Sequence, residues 1–178
     1  MAAYYASILY GALLTVGVSL AALLVSVLLG LLGAGAKVSG NRPLVALATG
    51  YTTIIRGIPE LVLMLLVFYG GSIGINHLLE LSGTGATLDI NPFTAGVLTL
   101  GFIYGAYMTE TFRGAILAIP RGQFEAAAAF GMGPVQIFLR ITAPQMVRHA
   151  VPGFTNNWLV LIKATALVSL IGLQEMTY

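Results

Sequence analysis

Residues 1–36 read MAAYYASILYGALLTVGVSLAALLVSVLLGLLGAGA and contain no charged side chain. A helix needs about 20 mostly apolar residues to cross the hydrocarbon of a bilayer. This stretch exceeds that length and predicts a spanning helix at about residues 7–35. It is not read as a cleavable signal, because no basic residue precedes it and its apolar run is too long. The rest of the chain agrees. Of 178 residues, 58% are hydrophobic and 8% charged, and the mean hydropathy is +0.94. A soluble domain carries roughly 25% charged residues. The composition excludes a water-covered globule and a disordered chain. It predicts an all-α, polytopic membrane protein.

Working outward, Lys37 and Arg42 bracket a short polar loop. A second apolar stretch covers residues 43–71, interrupted by Arg56-Gly57-Ile58-Pro59-Glu60, where Gly and Pro predict a kink or a restart. Residues 72–91 are loop-like and carry Glu80 and Asp89. A third helix is expected over 93–118, ending before Pro120. Residues 121–148 form a long segment with Arg121, Arg140 and Arg148, and a fourth helix covers 150–172 and contains Lys163. Four helices are therefore expected. Lys and Arg concentrate in the first and third loops and are missing from 72–91. By the positive-inside tendency the first and third loops are cytoplasmic, and the N-terminus, residues 72–91 and the C-terminus lie outside. The pI near 9.0 reflects 8 Lys+Arg against 6 Asp+Glu with no basic run, so nucleic-acid binding is not expected. The chain has no cysteine and only His77 and His149, far apart, so thiol chemistry and a metal site are not expected.

The third loop contains Glu125-Ala126-Ala127-Ala128-Ala129-Phe130-Gly131 and, after nine further residues, Ile141-Thr142-Ala143-Pro144. Residues 123–130 are a strong helix former, rich in Ala with Glu125 near the first turn. Gly131 and Gly133-Pro134 stop that helix and reverse the chain. Residues 135–141 start a second short helix, apolar on one face with Gln136 and Arg140 on the other. On pattern alone this is an interfacial loop helix. A helix–turn–helix at a membrane surface is also a shape that enters a partner's groove.

The spacing Glu-Ala-Ala, three residues, Gly, nine residues, Ile, two residues, Pro resembles the EAA loop of ABC-importer permeases. Glu125, Ala126, Ala127, Gly131, Ile141 and Pro144 occupy its fixed positions, and Ala143 stands where the family has Leu. Six such positions match by chance roughly once in ten million start sites at average residue usage. Residues 51–62 around Arg56-Gly57-Ile58-Pro59 are similar to the Arg-Gly-x-Pro signature of polar-amino-acid permeases. Glu110-Thr111-Phe112-Arg113-Gly114 resembles their third helix, and Asn156-Asn157-Trp158 through Lys163 to Leu173 their fourth. Within that family the chain is most similar to HisQ-type subunits of histidine, lysine, arginine and ornithine importers, with opine permeases close by.

The resemblance implies one type I importer transmembrane domain over residues 1–178, in a bacterial inner membrane. Residues 121–148 are its EAA coupling loop, and Glu125, Ala126, Ala127, Gly131, Ile141 and Pro144 contact the ATPase. It implies a second permease subunit of the M type in a heterodimer, two ABC ATPase subunits and a periplasmic amino-acid-binding protein, all embedded in or bordering membrane lipid. ATP and Mg are bound by the ATPase partners. Family members carry a fifth helix beyond this point, so a C-terminally truncated chain is expected. No Gly-x-x-x-x-Gly-Lys-Ser/Thr loop occurs, so the chain does not itself cradle ATP phosphates. No catalytic residue, metal or cofactor of its own is expected, and the chain is read as a transport subunit rather than an enzyme.

Ionisable residues inside spans are costly and each is a functional candidate. Arg56 and Glu60, four apart, are read as a pair on one helix face, with Pro59-Glu60 also reading as a helix start with an acid in its first turn, or as substrate contacts. Glu110 lies about 26 Å from Phe93 along the third helix, near the cytoplasmic side. With Arg113 three residues on, it is read as an internal ion pair or gate brace ahead of a substrate contact. Lys163 lies about 20 Å along the fourth helix from Ala150. It is read as paired with a carboxylate of a neighbouring helix, or as a substrate contact. A zwitterion with a cationic side chain needs carboxylates for its amines, which Glu60 and Glu110 supply. It needs donors for its carboxylate, which Asn156, Asn157 and Lys163 supply. His77 is expected in an exposed loop and His149 at the interface. The competing reading is a secondary amino-acid transporter driven by an ion gradient, which needs no EAA loop and usually has more helices or an inverted repeat. A membrane-embedded enzyme is disfavoured, because no His/Asp/Glu cluster has metal or acid–base spacing.

The topology is testable because the chain lacks cysteine. Single cysteines at Gly40 and Gly133 are expected to escape an impermeant thiol reagent on whole cells, and one at Gly83 to react. Equal labelling at Gly83 and Gly133 refutes the assignment.

Overall fold

The computed structural model describes residues 2–81 and 91–175. In chain order these form α1 (Ala2–Val38), α2 (Arg42–Gly57), α3 (Glu60–Leu81), α4 (Pro92–Leu117), α5 (Arg121–Ala129), α6 (Pro134–Ile137), a π-helical turn (Phe138–Thr142) and α7 (Ala143–Glu175). The Ile8–Val38 part of α1 and the whole of α3 have mean hydropathies of 2.6 and 1.7 and are long enough to span a bilayer.

The interrupted second stretch restarts as two separate helices, as Gly57 and Pro59 predict, whereas two other boundaries differ from the sequence expectation. Pro59 disfavours helical geometry at the residue before it, and Ile58 is extended at φ −108 and ψ 139. Glu60 then opens α3 as an acid in its first turn. Residues 72–81, expected as loop, continue α3. Their Gly, Ser and Asn lower helix propensity without breaking the helix, because no proline intervenes. His77 therefore stands on a helix, exposed, with its Nδ1 3.9 Å from Glu80. Residues 82–90 of the expected loop lie outside the described residues. The last helix begins at Ala143 rather than near 150, so Arg148 and His149 ride its exposed first turns. Neither residue marks where the helix begins.

Small residues face inward and large ones outward along α1. Ala22, Ser26, Gly30 and Ala34 recur every four residues and are buried, while Leu24, Leu28, Leu31 and Leu32 point out. That pattern reverses a soluble helix and suits a lipid-facing one. Apolar helices gain little from burial against one another in lipid, so close backbone approach supplies the packing. At Gly30 an added Cβ would stand 2.5 Å from Met108 Cβ on α4, and at Gly33 one would strike the Thr109 side chain. The two helices run parallel, residues 25, 29 and 33 meeting 101, 105 and 109 in order. On its other side α4 meets α7 antiparallel, with Gly153 against Thr111 and Gly96 against Val168. Leu100, Ile103, Met108 and Leu161 are fully enclosed between these helices. Buried hydroxyls satisfy themselves within their own helix, as Ser26 to Leu23 O at 2.8 Å and Thr109 to Gly105 O at 2.8 Å. The ends of α1 and α4, the start of α7 and the α5–α6 segment therefore share one end of the bundle.

Gly30→Leu is expected to lower the unfolding midpoint of the purified chain in detergent, overpacking a core contact costing about 1–3 kcal/mol. Gly35→Leu is the control, since nothing lies within 4 Å of a Cβ there. Equal midpoints for the two variants refute the close α1–α4 contact.

Candidate functional site

Two groups of residues stand out: the α5–α6 segment, and a seam of polar side chains along α4. α5 ends in a Schellman arrangement: Met132 N donates to Ala127 O at 3.0 Å and Gly131 N to Ala128 O at 2.9 Å. This closure needs a left-handed residue after the cap, and Gly131 supplies φ 74. Gly133 N donates to the Gln136 side chain at 3.2 Å, and Pro134 opens α6 where no N–H is required. Pro144 has no N–H and its ring crowds the carbonyl four residues back. The ladder widens there into a π turn, with Ala143 N reaching Phe138 O. Glu125 and Ala126 are exposed on α5, Ala127 is buried, Ile141 half-buried and Pro144 exposed. Beside them Phe130 is 88% exposed, and Val135, Phe138 and Leu139 are also outside. The segment thus presents Glu125 and a cluster of bare apolar side chains at the end of the bundle.

The seam runs over successive turns of α4. Tyr104 donates to Glu60 Oε1 at 2.7 Å. One turn on, the Tyr107 ring lies 5.5 Å from the Arg56 guanidinium carbon, a favourable cation–π geometry. The next turn carries Glu110, whose Oε1 pairs with Lys37 and whose Oε2 lies 3.6 Å from Arg113 Nη1. Lys37 also donates to Thr52 Oγ1 of α2 at 2.6 Å. Side-chain exposures are 8% for Lys37, 23% for Glu110 and 41% for Arg113.

One reading of Arg56 and Glu60 is corrected here. Arg56 and Glu60 do not pair; the Ile58–Pro59 break puts them on different helices, and each turns to a tyrosine of α4. Lys163 has no carboxylate partner among the described residues and is exposed on α7. It shares one face of α7 with Asn156 and Val160, also exposed. Asn157 turns the other way and donates to Thr111 Oγ1 at 2.9 Å. The five candidates are therefore dispersed. Glu60 and Glu110 sit two turns apart on the α4 seam, and Asn156 and Lys163 occupy the open face of α7. Lys37, Thr52, Tyr104 and the Arg56–Tyr107 contact went unseen in the sequence. The sequence places Lys37 at the edge of a polar loop, yet it lies on α1 three residues after Ala34.

A family profile described as "Binding-protein-dependent transport system inner membrane component" matches residues 26–178. The chain belongs to this family, and it is an ABC-transporter permease of the inner membrane. It is 54% identical over 95% of its length to the histidine/lysine/arginine/ornithine transport system permease protein HisQ of Escherichia coli (strain K12), covering 74% of that protein. It is 40% identical over 92% of its length to the octopine transport system permease protein OccQ of Rhizobium radiobacter, covering 69% of it. A solved amino acid ABC transporter crystallised with histidines superposes with a TM-score of 0.71 at 32% identity, over 94% of this chain and 76% of that one.

The Tyr104–Glu60 contact is open to a double-mutant cycle. Tyr104→Phe and Glu60→Gln are expected to couple by about 1.5–3 kcal/mol in unfolding free energy, the range for a hydrogen bond to a charged acceptor. Additive effects refute the bond.

Proposed function

We propose that this chain is the HisQ-like permease subunit of an importer for basic amino acids or opines. It pairs with an M-type permease to form the pathway. Two ABC ATPase subunits dock on the α5–α6 segment and hydrolyse ATP with Mg, and a periplasmic binding protein delivers substrate from the side of the N-terminus. The observation that carries the reading is the α5–α6 segment itself. Its turn is rigid, because a Schellman closure and a left-handed Gly131 hold it. Its tip is apolar and bare, because Phe130, Val135, Phe138 and Leu139 find no cover in this chain. A rigid apolar projection suits a groove on a partner and transmits force from it. The relatives named for basic amino acids and an opine support the substrate class. Their common chemistry, a zwitterion with extra nitrogen cations or a second carboxylate, suits a pathway with Glu60 beside it and Lys163 and Asn156 on open helix surface.

In this scheme Glu125, Ala126, Ala127, Gly131, Ile141 and Pro144 shape the docking projection. Glu60 meets a substrate amine, and Lys163 and Asn156 meet its carboxylate. Asn157, turned toward Thr111, and Glu110, held by Lys37, act from behind that surface.

Two experiments test this. Gly131→Arg forces a side chain into a left-handed turn at a cost of about 1 kcal/mol and pushes a cation into the docking groove. ATPase co-purification and uptake of a basic amino acid are both expected to fall at least about tenfold, the equivalent of ~1.4 kcal/mol of docking. Glu125→Ala is expected to weaken both less. Normal co-purification and uptake by Gly131→Arg refute the docking assignment. Lys163→Met is expected to raise the apparent Km for uptake while the complex assembles normally, and wild-type kinetics remove Lys163 from the pathway.

A further inference from the structure

We propose that Lys37 is a positioning residue for coupling. Through Glu110 and Thr52 it ties α1 and α2 to the end of α4 that leads into the coupling segment, so that displacement of α5 reaches the Ile58–Pro59 break. This rests on the permease reading above.

The seam at this point does not need charges for stability. Gly30, Gly33 and Ala34 already bring α1 close to α4. Replacing a buried ion pair by apolar groups is commonly neutral or stabilising, while removing one partner is costly. The cluster also leaves charge unbalanced, two cations around one carboxylate. An unbalanced ionic group within a span marks function by default.

Its location says which function. Arg113 lies four residues before Leu117, where α4 ends, and α5 begins at Arg121 after a three-residue link. That link is held: Ala118 N donates to Gly114 O at 3.0 Å, and Ile119 is buried. A push on α5 therefore moves the last turns of α4. From there Lys37 carries it sideways to α1 and, through the 2.6 Å bond to Thr52, to α2. One and two turns further up α4, Tyr107 and Tyr104 grip Arg56 and Glu60 on either side of the break. The coupling segment follows α4 through that link, and α1, α2 and the break before α3 are joined to the same helix by polar contacts at its consecutive turns. Packing through small residues allows sliding; a lysine held by two acceptors on two helices does not.

The test uses the full complex of both permeases and ATPases in proteoliposomes, with radiolabelled L-arginine and its binding protein. Two quantities are read: arginine imported per ATP hydrolysed, and the stimulation of hydrolysis by the loaded binding protein. Lys37→Met is expected to lower both at least about fivefold, the scale of a typical coupling between sites. Lys37→Arg, which keeps charge and donors, is expected to restore them. A purely structural lysine changes the yield of complex and leaves both ratios at wild-type values, and that result overturns the proposal. If Lys37→Met does not assemble, the double variant Lys37→Met with Glu110→Leu removes the stranded carboxylate. Lowered ratios in it support the proposal and wild-type ratios overturn it. A wild-type complex that responds to its binding protein but imports no arginine counts against the substrate reading alone, because the stimulation still reports on Lys37.

Discussion

The contact of α1 with α4 is the constraint from which the remaining geometry follows. Between helices in lipid the hydrophobic effect contributes little, and association depends on how closely backbones approach. The small side chains of Ala22, Ser26, Gly30 and Ala34 allow that approach, and parallel packing sets the register. Once Gly33 lies on Thr109, the last turn of α1 has one place to go, and Lys37 arrives at Glu110. That pairing in turn brings α2 in through Thr52. With α1 on one side and α7 on the other, α4 becomes the central helix, and whatever follows it in the chain inherits its orientation.

The membrane character, the course of α4 and the turn at Gly131 were legible from residues alone. Each depends on local chemistry: a run of apolar side chains long enough to span, a proline that stops a helix, a glycine that accepts φ > 0. The Gly131 reading held in detail, because the left-handed turn after an Ala-rich helix has few alternatives. The boundaries that failed share one cause. Charged and polar residues suggest loops, yet helices continue through them where no proline or left-handed residue intervenes. α3 runs on through residues 72–81, and α7 starts before Arg148 and His149.

The polar seam was illegible for a different reason. Its contacts join residues 44, 51 and 73 positions apart, and nothing local distinguishes Tyr104 from any other tyrosine. Arg56 and Glu60 illustrate the trap. Their spacing suits a pair on a continuous helix, and the same Gly-Ile-Pro that predicts a break forbids that helix. A usable signal did exist for Lys37: it stands three residues after Ala34, the last small residue on the inner face of α1.

The intramembrane charges sort by how fully this chain satisfies them. Glu110 has two cations and its lysine a further acceptor, so its position is spoken for. Among the described residues Glu60 accepts from Tyr104 alone. Lys163 has no ion-pair partner among the described residues and stands in the open beside Asn156. Hydrocarbon does not accept such a face, whereas the leucines on the outside of α1 suit it. The bundle is therefore two-sided, with α1 toward lipid and the open face of α7 toward water or another subunit. No carboxylate of the described residues pairs with Lys163, and the face it shares with Asn156 is polar surface that the bundle leaves open.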